Sequence, residues 1–130
     1  MKKLVIANWK MNGDINKINA DLNYYANMHD TNKENVVLAL PYLYLVWAKQ
    51  KLLVNSHIQL AAQDLSHYLN CGAYTGKING EMLKDAGVEY VIIGHSERRN
   101  LIGENGAILI HKVRNAFESN LTPVLFVGEP

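Results

Sequence analysis

The sequence predicts an α/β protein built on a parallel sheet, and two observations carry that prediction. Short, near-continuous apolar runs alternate with longer stretches of helical periodicity, in the order β-α-β-α-β-α-β-α-β. Strands apolar on both sides are those buried between helices, and parallel neighbours need helix-length, right-handed crossovers. Periodicity by itself does not separate an open, doubly wound sheet from a barrel.

Each element has its own signal. Leu4-Val5-Ile6-Ala7 is an apolar run closed by polar residues and Gly13, a buried strand. From Ile15 the apolar positions Ile18, Leu22 and Tyr25 form a helical stripe. Val36 to Leu40 is a second strand, stopped by Pro41. Leu43 to Leu53 reads as a helix with Leu45, Val46, Ala48, Leu52 and Leu53 on a broad apolar side. Ile58 to Ala62 is a third strand. The polar, glycine-containing stretch from Asp64 to Gly80 is long for a loop in a compact domain, and such loops are often functional. Glu81 to Ala86 makes a short helix closed by Gly87, and Val88 to Ile93 is a fourth strand rich in β-branched residues. Asn105 to Ser119 is a helix with Ile108, Ile110, Val113, Ala116 and Phe117 as its apolar positions. Thr122 to Val127 is a fifth strand, with Pro123 near its start, where proline is tolerated.

Bulk properties narrow the function classes. A chain of 130 residues fits one domain, 1–130, and its 48% apolar content permits a core. A formal charge of +1 without any basic block gives no reason to expect nucleic acid. Cys71 is the single cysteine, cannot close an intrachain disulfide, and points to a reducing compartment. The apolar stretch near Met1 is too short for a signal peptide, and no run approaches the roughly 18 residues of a membrane span. The expected location is the cytoplasm, with no membrane partner.

Reactive groups in parallel α/β proteins collect past the C-terminal strand ends. Asn8 and Lys10 stand there after the first strand. The lysine offers a mobile positive charge for a phosphate or a developing oxyanion, and the asparagine offers an amide donor and acceptor. As composition alone, Lys10 reads as the start of a solvated loop. His95 follows the fourth strand, and Ser96-Glu97-Arg98-Arg99 can begin a helical turn directly after it. A helix N-terminus disfavours imidazolium, so a neutral ring that still donates one hydrogen bond is expected. Glu97 is either a catalytic carboxylate, a partner for Lys10, or a first-turn residue complementing the helix dipole. His29, His57, His67 and His111 stand in no metal-ligand spacing, so no metal and no cofactor are expected. Gly13 and Gly76 belong to neither a dinucleotide fingerprint nor a P-loop.

The strings Ala7-Asn8-Trp9-Lys10-Met11-Asn12-Gly13 and Gly94-His95-Ser96-Glu97-Arg98-Arg99 together resemble the triosephosphate isomerase family. Gly103-Glu104, Lys112 and Val127-Gly128-Glu129 also match, so the resemblance runs from Leu4 to the last residue. It implies a partial TIM (β/α)8 barrel of four β/α units plus a fifth parallel strand. It also implies interconversion of dihydroxyacetone phosphate and glyceraldehyde 3-phosphate, a step of glycolysis and gluconeogenesis, with triose phosphate as substrate. Asn8, Lys10 and His95 would contact that substrate, with His95 as electrophile and Glu97 in support. The family is itself the standard case of a neutral histidine in this role, so that part of the reading is inherited from the resemblance.

The loop containing Cys71-Gly72-Ala73-Tyr74-Thr75-Gly76 resembles the family's third loop, which projects into a neighbouring subunit. Thr75 would pack near the partner's asparagine, which implies a homodimer. Lys77 stands where glutamate is usual and where a pair with Arg98 is expected; two cations cannot make it. Ile102 replaces a usual phenylalanine, and Phe126 a usual cysteine.

The family's carboxylate base, mobile lid and late phosphate loops lie in a second half with no counterpart in these residues. Two readings follow. In one, the chain works with a complementing C-terminal half. In the other, it is an inactive half-barrel that associates with itself through its open edges.

Overall fold

The computed structural model describes residues 3–26, 35–52 and 57–127. His29, Leu53, Gly128 and Glu129, named above, lie outside the described residues. Strands β1 (Leu4–Asn8), β2 (Asn35–Leu40), β3 (Ile58–Ala62), β4 (Tyr90–Ile93) and β5 (Thr122–Leu125) form one sheet in the order β1-β2-β3-β4-β5. Every neighbouring pair is parallel. Helices α1 (Ile15–Ala26), α2 (Tyr42–Lys51), α3 (Gly80–Asp85), α4 (Ser96–Leu101) and α5 (Gly106–Glu118) connect them. The turn expected at Ser96 is a helix of its own, so the β4–β5 connection carries two.

Local chemistry starts these helices. Asn79 accepts from the Met82 N–H at 2.9 Å ahead of α3, and Asn105 from the Ile108 N–H at 3.0 Å ahead of α5. Asp14 accepts from the Lys17 N–H at 2.8 Å at the start of α1.

Strand alternation sorts side chains onto two faces. Leu38, Leu40, Leu60, Ala62, Val91 and Ile93 pack against Ile18 and Leu22 of α1, Leu45 and Ala48 of α2, and Leu109 and Ala116 of α5. The opposite face carries a smaller cluster of Val37, Ala39, Ala61 and Ile92, flanked by Ile6, Tyr90 and Phe126. The central strands are buried, while the edges are open: Leu4 and Val5 are exposed on β1, and Leu125 and Val127 at β5.

Two helix faces differ from the sequence reading. On α2 the buried positions are Leu45 and Ala48, followed by Leu52, and Val46 is 55% exposed. Spacings of three and seven put the first three on one stripe, and Val46 falls on the next. On α5 the buried residues are Leu109, Lys112, Asn115 and Ala116, while Ile110 and Phe117 face outward. The stripe is shifted because two polar side chains occupy it with partners. Asn115 Nδ2 donates to the Ser66 carbonyl at 3.1 Å, and Lys112 enters an ionic cluster described below.

These faces make a quantitative contrast. Leu38→Ala is expected to destabilise the chain by about 2–5 kcal/mol, as a cavity in a packed core does. Val46→Ser is expected to change stability by no more than about 0.5 kcal/mol. Urea unfolding of both variants checks the assignment of faces.

Candidate active site

The first loop is organised by two amides. Asn8 ends β1 on the same side as Ile6, away from the helices. Its Oδ1 accepts from the Lys10 N–H at 3.0 Å and from Gln63 Nε2 at 3.3 Å. Gln63 Nε2 also points at the Lys10 carbonyl at 2.9 Å and the Ala39 carbonyl at 3.1 Å. Three oxygens around one nitrogen fix the orientation of the Gln63 amide, and two donors on Oδ1 fix that of Asn8. The Asn8 amide nitrogen is therefore the end left for a ligand. Lys10 has φ 55, a left-handed conformation that costs a lysine energy and persists where its surroundings over-determine it. The Asn8 and Gln63 bonds on both sides of its backbone do so.

The second loop turns on Gly94, whose φ is 76. A Cβ there would come within 2.8 Å of the Arg99 guanidinium, so both conformation and space call for glycine. His95 is the N-cap of α4, and its Nδ1 accepts from the Glu97 N–H at 3.1 Å. An accepting Nδ1 carries no proton, so the ring is the neutral tautomer with its hydrogen on Nε2. Glu97 Oε2 also lies 3.6 Å from Nδ1, but without a proton between them that approach is no ion pair. Glu97 instead binds Lys10, Oε1 to Nζ at 2.6 Å. That hydrogen bond, joined by the Lys10 charge, outweighs the cost of desolvation and holds the Glu97 carboxyl below its ordinary value.

Beneath the loop lies a buried ionic cluster. Lys112 Nζ meets Asp64 Oδ1 at 2.6 Å and also binds Glu104 Oε2. Arg98 reaches Asp64 Oδ2 at 3.0 Å and Glu104 Oε2 at 3.1 Å. Two cations and two carboxylates balance. The Lys112 and Glu104 side chains are each 4% exposed, and Glu104 Oε1 is buried with no hydrogen-bond partner among the described residues. Burial alone would raise the Glu104 pKa; the Lys112 bond and charge, joined by Arg98, outweigh it and hold the carboxyl below its ordinary value. Tyr42 stands over the same region, and its phenol is pushed up, first by burial and then by the Asp64 charge.

Asn8, Lys10, His95, Glu97 and Arg98 line one cleft of about 210 Å3, together with Met11, Tyr42, Gln63, Asp64 and Ile92. Thr75 and Lys77 do not; both are exposed on the third loop. That loop is closed at its base by the Ser66 N–H on the Ile78 carbonyl at 2.7 Å and stiffened by Tyr68 stacked on Tyr74 at 3.8 Å. Gln63, Asp64 and Tyr42 were missed from sequence. Gln63 and Asp64 directly follow a strand end, the one signal that would have flagged them. Among the described residues no three His, Cys, Asp or Glu side chains are grouped to hold a metal.

The sequence profile of triosephosphate isomerase matches residues 3–130. The chain belongs to the triosephosphate isomerase family. It is 41% identical to a triosephosphate isomerase of Shewanella sediminis and 40% identical to one of Shewanella woodyi. Each alignment covers 98% of this chain and 51% of the relative. The crystal structure of triosephosphate isomerase from Bartonella henselae superposes with a TM-score of 0.88 at 32% identity, over 99% of this chain and 53% of that one. The chain thus spans about half the length of the triosephosphate isomerases it matches, and its sheet is the matching half of a barrel wall.

The ionic cluster sets the acid response of this half-barrel. Lys112→Ala is expected to cost about 3–5 kcal/mol, because it strands buried carboxylates. Glu104 contributes stability at pH values above its unfolded pKa, and that contribution is lost as pH falls through its lower folded value. Unfolding free energy measured against pH should therefore fall below about pH 4.5, and the fall should be shallower in Glu104→Gln.

Proposed function

We propose that this chain supplies the electrophilic half of a triosephosphate isomerase site and turns over only with residues of the kind found in its relatives' second half. The observation that carries the reading is the convergence of three donors on one cleft: the Asn8 amide, the Lys10 ammonium and the Nε2–H of a neutral His95. Isomerising a triose phosphate removes a proton from the carbon beside a carbonyl, and negative charge grows on the carbonyl oxygen. Neutral and cationic donors aimed at that oxygen stabilise it. Glu97 holds Lys10 at the cleft in the absence of substrate.

A base that takes the carbon proton is a different matter. Glu97 is paired with Lys10, and Asp64 is paired with Arg98 and Lys112. Each carboxylate lining the cleft already neutralises a cation. A positioned base is worth about 10²–10⁴ in rate, so the chain alone is expected to isomerise at least about 10³-fold more slowly than a complete enzyme. No helix among the described residues is long and apolar enough to cross a membrane, and we place the reaction, a step of glycolysis and gluconeogenesis, in the cytosol. A coupled assay on the pure chain tests the reading. Turnover near ordinary enzyme rates, abolished by His95→Ala, would overturn it. Binding of a phosphate-bearing analogue should weaken in Lys10→Ala, and the difference should shrink at high salt.

The open edges support a second role, self-association. Among the described residues β1 and β5 each pair on one side only, with Leu4, Val5, Leu125 and Val127 exposed beside the other. Unpaired apolar edges recruit further strands, and each Å2 buried contributes roughly 25 cal/mol. We infer a homo-oligomer through these edges when no complementing half is present. Lys77→Glu separates this from a dimer made through the third loop. It should leave an edge-to-edge assembly unchanged and tighten a third-loop dimer. Light scattering of a stable monomer at micromolar concentration would refute both.

A further inference from the structure

A histidine ring turns about its Cα–Cβ and Cβ–Cγ bonds, and one hydrogen bond at Nδ1 restrains that turning without a stop against the ring face. His95 is held at Nδ1 by the Glu97 N–H. For Nε2–H to keep one direction, the ring plane needs a second constraint. The structure provides one outside the cleft. The Phe126 ring lies with its centroid 5.0 Å from that of His95, tilted by 34°. This is within the range of favourable aromatic pairs.

Phe126 is itself held from three sides. Its N–H donates to the Ile93 carbonyl at 2.9 Å, continuing the β4–β5 ladder by one residue. Its carbonyl accepts from Arg99 Nη2 at 2.6 Å, while Arg99 Nε donates to the Gly94 carbonyl at 2.7 Å. One guanidinium therefore ties the residue before His95 to the residue whose ring His95 meets. The Phe126 side chain packs against the cluster of Val37, Ala39, Ala61 and Ile92. Phe126 is not among the residues lining the cleft. Whatever it does for a ligand there, it does through a neighbour, and His95 is the polar one whose ring it meets.

We propose that Phe126 is a positioning residue, which sets the plane of the His95 ring so that Nε2–H points into the cleft. The proposal rests on the reading of His95 as the electrophile, and its test is arranged so that the two can fail separately. The full chain, with its histidines labelled in carbon and nitrogen, is studied by side-chain NMR in unmutated, Phe126→Leu and Phe126→Tyr forms. The same samples are titrated with 2-phosphoglycolate, a small anion with a phosphate and a carboxylate in place of the carbonyl.

The unmutated chain is expected to show His95 as one Nε2–H tautomer in one ring orientation. Phe126→Leu keeps the apolar bulk against Ile92 but lacks a flat face. It should release the ring into several orientations and weaken the analogue about threefold to tenfold, the size of an aromatic contact. Phe126→Tyr should restore both readouts. Backbone amide shifts of β5 report whether the strand keeps its place. If the leucine variant loosens it, Phe126→Met, equally long and without a ring, is read in the same way. A ring that stays in one orientation without the aromatic face overturns the proposal. If the unmutated chain binds no 2-phosphoglycolate, the functional reading fails, and the ring orientations still decide the role of Phe126.

Discussion

Lys112 is the side chain on which the geometry of the site depends. It leaves the buried face of α5 and meets Asp64, just past β3, and Glu104, between α4 and α5. Arg98 of α4 closes the cluster against the same two carboxylates. The end of β3 is thereby fixed against α5 and the turn before it, and α4 is fixed with them. That matters because α4 has only six residues and buries none of its own. So short a helix is marginal without tertiary support. His95 and Glu97 sit at its first turn, so their placement is inherited from charges below it. An apolar cluster of equal volume could be as stable, since desolvation offsets much of the Coulomb gain in buried pairs. It would not fix the rotation of α4 through directional bonds in the way that Arg98 does.

The second constraint comes from the sheet. Parallel strands with alternating faces send one set of side chains to the helices and the other to the opposite side. The helix side is filled and continuous. The opposite side holds four buried residues and ends in open edges. The site lies where that less filled face meets the C-terminal strand ends. Added strands would bury the free edges while bringing further loops to the cleft.

Much of this was legible in the sequence, and what was not has physical reasons. Strands are short and apolar here, and β3 spans Ile58–Ala62 as read. The helix after His95, the neutral ring and the Lys10–Glu97 pair all follow from local rules about caps and charges. The face of α5 did not, because a count of apolar residues favoured Ile110 and Phe117 over Lys112 and Asn115. Their partners, the nearby Glu104 and the remote Asp64 and Ser66 carbonyl, make the polar pair the better choice for burial. Gln63 was missed for the same reason. It bonds to Asn8 and Ala39, residues remote in sequence, and nothing in its local context announces them. The Lys77–Arg98 mismatch was legible, but its consequence was not: Arg98 finds two carboxylates in its own chain.

The charges at the cleft also show two kinds of ion pair side by side. Lys10 carries a backbone strain and a mobile ammonium, and Glu97 meets that ammonium directly. Both side chains are about half exposed, so water already screens the pair and its disruption is inexpensive. An incoming phosphate can compete for Lys10 on those terms. The cluster below cannot be opened so readily, because Lys112 and Glu104 at its centre are buried and have little water to fall back on. One ionic network is thus suited to exchange partners and the other to stay closed, and the difference is set by solvent access rather than by residue type. Each carboxylate at the cleft is thus held by a cation, Glu97 by Lys10 and Asp64 by Arg98 and Lys112.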